Sequence, residues 1–188
     1  MEQPIGKRII VVGSSSAGKS TLALGLAEHL GVPCIELDAL HWEPGWTEAQ
    51  LDTFQERVRQ AIEPESWVMA GNYTEKQQQI SWPAADTIIW LDLGLVTVLH
   101  RGIRRSWLRW RSRELLFGGT NREDFREHLR LWNLDRSLIA YTLKTHRGRR
   151  RRYEAYTRAP RWAHIRFIRL RSAEEVDRWL EGIAAQPR

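Results

Sequence analysis

The run Gly13-Ser14-Ser15-Ser16-Ala17-Gly18-Lys19-Ser20 constrains this chain more than any other feature, because it fits G-x-x-x-x-G-K-[ST] without a gap. A chain with 13 glycines, 4 lysines and 20 serines and threonines meets that pattern by chance about 0.002 of the time, so a bare serine-rich turn is a poor explanation. Its flanks supply the context the motif needs. Arg8-Ile9-Ile10-Val11-Val12 is a β-branched apolar run of the kind buried on both faces of a parallel sheet. After Gly18, Leu22, Leu26 and Leu30 recur every four residues and Gly31 supplies the stop of a helix. In a strand–loop–helix of this kind, backbone N–H groups and a helix N-terminus converge on an anion. Gly13 to Ser20, with Thr21, are therefore the expected phosphate-binding residues. Lys19 supplies a point charge at the β- and γ-phosphates, and Ser20 a hydroxyl ligand for Mg²⁺. ATP and Mg²⁺ are the expected ligands.

Further strands are expected at Pro33–Leu37, Trp67–Ala70, Thr87–Leu91 and His164–Leu170. Thr47 with Gln50 suggests a capping box for a helix burying Leu51, Phe54, Val58 and Ile62. Leu95–Trp110 reads as one helix and Glu114–Gly119 as a loop, in which Gly118-Gly119 leaves room to swing. Thr120 with Glu123 is expected to cap a helix carrying Phe125, Leu129 and Trp132. Ser172 with Glu175 opens a last helix with Val176, Trp179, Leu180 and Ile183 on one face. Strands alternating with helices predict an α/β fold, a five-stranded parallel sheet with helices on both faces. No long linker divides the 188 residues, so one domain spanning 1–188 is expected.

With 42% hydrophobic and 28% charged residues, the chain is neither a disordered tail nor a fibrous repeat. No apolar run approaches a membrane span, residues 1–8 resemble neither a signal nor a transit peptide, and Cys34 is the single cysteine. A cytoplasmic protein is expected. Charge is unevenly distributed: residues 1–100 carry 6 basic and 13 acidic side chains, residues 101–171 carry 21 and 6, and residues 172–188 carry 2 and 4. A basic third of this kind implies a polyanionic partner, either a phosphate-rich small ligand or a nucleic acid.

Asp38 follows the second strand at the carboxyl edge of the sheet, where ligands bind in such folds. It is a candidate to hold Mg²⁺ through water or to orient an acceptor hydroxyl, with a helix or turn cap as the bland alternative. Asp92 is equally placed to act or to cap, and His41, without a second ligand at metal spacing, reads as a loop or pocket-wall residue. Trp67, Trp90 and Trp179 fall on buried faces, whereas Trp42 and Trp46 flank the expected acceptor pocket.

The phosphate loop, Asp38-Ala39-Leu40-His41-Trp42 with Pro44-Gly45-Trp46, Gly71-Asn72-Tyr73, and Ala85–Asp92 together resemble the adenylate-kinase-related P-loop proteins often labelled "DNA topology modulation protein". The resemblance covers nearly the whole chain. It implies a nucleoside monophosphate kinase-like P-loop NTPase fold, with an arginine-rich helical lid, approximately 106–135, inserted after the fourth strand. Arg101-Gly102-Ile103-Arg104-Arg105 is similar to the R-x-x-x-R of these kinases, which makes Arg101 and Arg105 candidate catalytic residues beside Lys19 and Asp38. Arginines one helical turn apart share a face, and donors aimed at a transferring phosphoryl group stabilise its transition state. Arg122, Arg126 and Arg136 are further lid candidates. Two departures stand out: Ala70 occupies a position where relatives commonly have an aspartate, and Gly71-Asn72-Tyr73-Thr74 lacks the arginine with which adenylate kinases hold the AMP phosphate.

The leading expectation is a Mg²⁺-dependent ATP phosphotransferase acting on a small acceptor, a nucleotide or nucleoside. One alternative is a nucleic-acid-binding NTPase or regulator, since Trp107, Trp110 and Trp132 are interleaved with the basic block. Another, prompted by Ala70, is a nucleotide-binding protein that has lost catalysis. No membrane partner is expected.

Overall fold

The computed structural model describes residues 5–117, 119, 121–128 and 137–184. Its centre is β1 (Arg8–Gly13), whose β-branched run is buried from Ile9 onward. Gly18 turns the chain into α1 (Lys19–Leu30), and Gly31 ends that helix at φ 67°, its N–H reaching Ala27 and Glu28 carbonyls. β2 (Cys34–Glu36) leads directly into the short α2 (Leu37–His41). A hairpin of β3 (Trp42–Glu43) and β4 (Thr47–Glu48) follows, then α3 (Leu51–Ala61). β5 (Trp67–Ala70), α4 (Thr74–Ser81) and β6 (Thr87–Leu91) complete the first half. Beyond lie α5 (Leu95–Ser112), α6 (Phe125–His128), α7 (Leu138–Tyr156), β7 (Arg166–Leu170) and α8 (Ala173–Ala184).

The sheet order is β2-β5-β1-β6-β7, all parallel. Five strands with helices on both faces is the α/β architecture that the alternation of apolar runs predicts. Successive strand residues point to opposite faces, so each buried strand feeds two cores. Ile9, Val11, Val68, Ile89 and Leu91 pack with α1 and α8. Ile10, Val12, Trp67, Met69, Ile88 and Trp90 pack with Phe54, Val58, Trp82, Tyr153 and Trp162 on the other side. Trp82, unremarked in the sequence, is among the largest fully buried side chains and stacks at 6.4 Å on Tyr153, with Trp162 edge-on at 5.1 Å.

Three local expectations need correction. Thr47 does not cap α3: it pairs with Glu43 in the hairpin, and α3 starts after Gln50 with no side-chain cap. Leu51 is consequently exposed while Phe54 and Val58 are fully buried. Trp179 is only half-buried. The Ser172 signal is realised, since Ser172 Oγ accepts from Glu175 N–H at 3.2 Å and Glu175 accepts from Arg171 N–H at 2.6 Å. Thr120, Leu129, Trp132 and Arg136 lie outside the described residues, as does part of the 106–135 segment. Among the described residues no helix is long and apolar enough to cross a membrane.

Candidate functional site

The loop between β1 and α1 has a backbone set by small residues. Gly13 lies at φ 153° with Leu91 O only 2.7 Å from where a Cβ would stand, so a side chain there collides with β6. Gly18 at φ 100° heads α1, and no side chain caps that helix, which leaves its first N–H groups facing the loop. Ser14 and Ser16 are buried, and Ser16 takes a left-handed φ of 63°. Lys19 curls back so that Nζ donates to Ser14 O at 3.0 Å. Burial is the main influence on its ammonium, partly opposed by Asp38, and with the Arg149 and Arg105 charges it pushes the pKa down to about 8.

Helix α5 leaves the end of β6, which neighbours β1, and its inner face reaches the loop. Arg101 Nη1 donates to Ala17 O at 3.2 Å, and Gly102 lets α5 approach, because a Cβ there would meet Ser16 Oγ at 3.1 Å. One turn further, Arg105 carries a buried Nε with no hydrogen-bond partner. Burial and the neighbouring Arg109 pull its pKa down, while Glu123, Asp38 and Glu36 pull it up. Sequence-predicted Lys19, Arg101 and Arg105 are thus gathered at the loop.

The carboxylates divide the work differently from the expectation built on Asp38 alone. Ser20 Oγ donates to Glu36 Oε1 at 2.7 Å. Glu36 ends β2 and stands in register with Ala70 of β5, so a strand-end carboxylate lies beside that position. Asp38 sits two residues beyond the strand, in the first turn of α2, where Tyr73 Oη donates to its Oδ1 at 2.7 Å. Burial, then Asp38, drives the Tyr73 phenol far above its ordinary pKa, so it stays a donor. Gly71 is required by close approach: a Cβ would lie 2.6 Å from Leu37 Cβ, at the start of the segment bearing Asp38.

Sequence reasoning missed several residues that hold this geometry. Asn72 Oδ1 accepts from Gly13 N–H at 3.1 Å and from Tyr153 Oη at 3.1 Å, and Asn72 Nδ2 donates to Gly13 O. His146 Nδ1 lies 3.1 Å from Ser14 Oγ, and burial lowers its pKa. Both Tyr153 and His146 come from α7, so a helix remote in sequence braces the loop. Glu36 left a signal as an acidic residue closing the second parallel strand, and Asn72 as part of Gly71-Asn72-Tyr73, though its contact with Gly13 was not foreseen. Nothing in local pattern points to His146.

Other candidates resolve into structural roles. Asp92 neither caps α5, which has Gly94 at its cap with no side-chain bond, nor faces a hydroxyl. Its Oδ2 accepts from Arg169 Nη2 at 2.6 Å and Nε at 3.0 Å, with Arg150 Nε at 3.3 Å. His41 is buried in an aromatic cage, 4.9 Å from Trp42, 5.2 Å from Phe54 and 4.4 Å from Tyr73 by ring centroids. Arg126 lies 5.9 Å over Trp110, and Arg122 is exposed with its carbonyl accepting from Trp46 Nε1 at 3.0 Å. The loop after α5 is tied down on its described residues. Leu116 and Asn121 exchange backbone bonds of 2.8 and 3.3 Å. The buried Asn121 amide accepts from Trp46 N–H at 2.8 Å and donates to Glu43 O at 3.1 Å. The loop after α5 and the β3–β4 hairpin are stitched together, which the expectation of a loop with room to swing did not foresee.

No group of three or more His, Cys, Asp or Glu poised for a metal occurs among the described residues. Mg²⁺ does not require one, since it is ordinarily held by one or two carboxylates together with substrate phosphates. The hard oxygen donors of Ser20 and Glu36, already 2.7 Å apart, fit that demand.

No protein-family model matches the chain, and no curated protein matches it. Solved structures do. A gluconokinase from Sinorhizobium meliloti 1021 is 17% identical, covering 99% of this chain and 100% of its own, at TM-score 0.49. A shikimate kinase from Bacteroides thetaiotaomicron is 15% identical, covering 94% and 98%, at TM-score 0.48. A deoxyadenosine kinase from M. mycoides is 14% identical, covering 93% and 97%, at TM-score 0.47. Each bears the name of a kinase; similarity at this level carries nothing about substrate. The fold is an α/β P-loop fold on the chain's own geometry: a phosphate loop between the central strand and its helix, in a parallel five-stranded sheet.

Proposed function

We propose that this chain is an ATP-dependent phosphotransferase that moves the γ-phosphoryl group to a hydroxyl on a small acceptor, with 1–188 forming one kinase-like domain. The observation that carries the reading is the buried, unpartnered Nε of Arg105, held beside Lys19 and within electrostatic reach of Glu36 and Asp38. A buried N–H without an acceptor is costly unless an incoming group completes its surroundings. Residues 13–21 bind the phosphates through backbone N–H groups, and Lys19 and Arg101 fix their orientation. Arg105 stabilises charge on the equatorial oxygens as the phosphoryl group transfers. Asp38, held by Tyr73, orients the acceptor hydroxyl and takes its proton. Ser20 and Glu36 would hold Mg²⁺, with Asp38 as a further carboxylate, and the ion would supply neutralisation of the β- and γ-phosphate charge. Because Glu36 provides a carboxylate on the strand beside Ala70, the substitution at 70 does not argue for lost catalysis.

Incubation with γ-labelled ATP and a pooled small-molecule extract tests this reading. Label is expected to move to an organic acceptor with wild-type protein and to stay on ATP with Lys19→Ala. Transfer that persists in the variant removes the loop from the chemistry.

A further inference from the structure

Asp38, Glu36, His41, Trp42 and Tyr73 form a wall drawn from the segment 33–92, which as a whole carries 3 Lys and Arg against 11 Asp and Glu, with Asp86 and Asp92 engaged elsewhere by the Lys7 and Arg8 N–H groups and by Arg169. All three cations are already committed. Arg57 Nη2 donates to Glu43 Oε1 at 2.9 Å and its Nη1 to Leu40 O at 3.0 Å. Lys76 Nζ donates to Glu48 Oε2 at 2.6 Å. Arg59 pairs with Glu56 at 3.3 Å on the exposed face of α3. The one histidine in the wall, His41, is enclosed by aromatic rings, and burial keeps it on the neutral side. Outside that segment, Arg109 is paired with Glu114 at 3.6 Å and Glu123 at 3.4 Å, Arg101 lies on the phosphate loop and Arg126 stacks over Trp110, while the cations within electrostatic reach of Asp38, Lys19 and Arg105, are those assigned above to the nucleotide phosphates.

An acceptor carrying its own phosphate needs a cation to receive it, and like charges forced together at low dielectric are strongly disfavoured. This wall offers the carboxylates of Asp38 and Glu36, the Tyr73 hydroxyl and half-buried Trp42 instead. A carboxylate paired with a hydroxyl recognises hydroxyl groups, and aromatic faces accept a sugar or base ring.

We infer that the acceptor is an uncharged polyhydroxyl compound, a free nucleoside, sugar or polyol, bearing neither phosphate nor carboxylate. The inference rests on the phosphotransferase reading and narrows its acceptor. In the step, the acceptor oxygen forms a bond to the γ-phosphorus as the bond from that phosphorus to the β,γ-bridging oxygen breaks. ADP departs with that electron pair, and the hydroxyl proton passes to the Asp38 carboxylate and then to water.

The test is a panel of matched pairs differing in one charged group: nucleosides with their monophosphates, sugars with their phosphates and sugar acids. ADP formation is followed for each, and MgATP binding is measured separately by calorimetry. The uncharged member of at least one pair is expected to exceed its partner in kcat/KM by tenfold or more. Asp38→Asn should narrow that ratio as well as slow turnover, because the carboxylate that repels the charged partner is gone. Equal or better use of the charged members overturns the inference and leaves the phosphotransferase reading standing. MgATP binding without transfer to any member overturns both the inference and the transfer reading. Absence of MgATP binding overturns the reading at its root.

Discussion

The Ser20 hydroxyl donates to the Glu36 carboxylate across 2.7 Å, joining the first turn of α1 to the last residue of β2. Together they offer hard oxygens where phosphates and Mg²⁺ would meet. Glu36→Gln keeps size and hydrogen bonding but removes the charge. It is expected to raise the Mg²⁺ concentration needed for half-maximal turnover about tenfold, the scale of one lost ion contact, while ATP binding without Mg²⁺ stays unchanged. An unaltered Mg²⁺ titration would show that Glu36 only anchors the helix.

Lys19 gives a pH dependence with a definite sign. Its pKa is pushed down to about 8 by burial, so near that pH the ligand-free protein holds it half charged. Bound phosphate favours the ammonium, so ATP binding should take up a proton above about pH 8 and weaken as pH rises further. Calorimetry at pH 8.5 in buffers of different ionisation enthalpy reads this directly, and the buffer dependence should vanish in Lys19→Ala. For the ligand-free fold the unfolded chain binds this proton more readily between about 8 and 10.5. Lys19's contribution to stability therefore improves as pH climbs through that window. A buffer-independent enthalpy in the wild type contradicts the assignment of Lys19 to the phosphates.

Tyr73 donates to Asp38 at 2.7 Å and is predicted to position it. Tyr73→Phe should lower kcat with the acceptor on the order of tenfold, the worth of one hydrogen bond to a charged group, and leave ATP affinity as it was. Asp38→Asn should cost a hundredfold or more in turnover, as for loss of a group acting in the transition state, with little change in melting temperature. An Asp38→Asn protein that melts much earlier yet turns over normally identifies a structural residue.

Asn121 holds the lid segment to the hairpin through Trp46 and Glu43. Asn121→Ala removes the partner of the part-buried Trp46 N–H and Glu43 carbonyl and should cost about 1 kcal/mol in denaturant unfolding, the net worth of such a hydrogen bond. On the proposed reading the hairpin borders the acceptor, so KM for the acceptor should rise more than KM for ATP. Equal changes in both would mean that the stitch stabilises the fold without shaping the pocket.

Much of the scaffold was legible because its signals are local. Apolar runs such as Ile9–Val12 and Ile88–Leu91 announce buried parallel strands, and the phosphate loop has a fixed spacing between glycine and lysine. Arg101 and Arg105 were nominated through the resemblance to a kinase R-x-x-x-R, and the structure sets them one turn apart on α5. What escaped depends on contacts between distant segments. His146 meets Ser14, and Tyr153 meets Asn72, only because α7 packs back across the sheet. Thr47 carries the composition of a helix cap, but pairing with Glu43 in a hairpin claimed it first. Asp92 stands one residue past β6 much as Glu36 closes β2, yet Arg169 from the neighbouring strand neutralises it. A strand-terminal carboxylate is a ligand or a counter-ion according to what the next strand carries, and sequence spacing alone does not reveal that neighbour.

Binding of the ATP phosphates by the Gly13–Ser20 loop through Lys19 is read out by calorimetric titration of MgATP onto wild-type and Lys19→Ala protein. The wild type is expected to bind saturably and one-to-one, and the variant to lose at least tenfold in affinity, or all measurable heat, both proteins keeping the same circular dichroism spectrum. Equal MgATP affinity in the two folded proteins would contradict that role of Lys19.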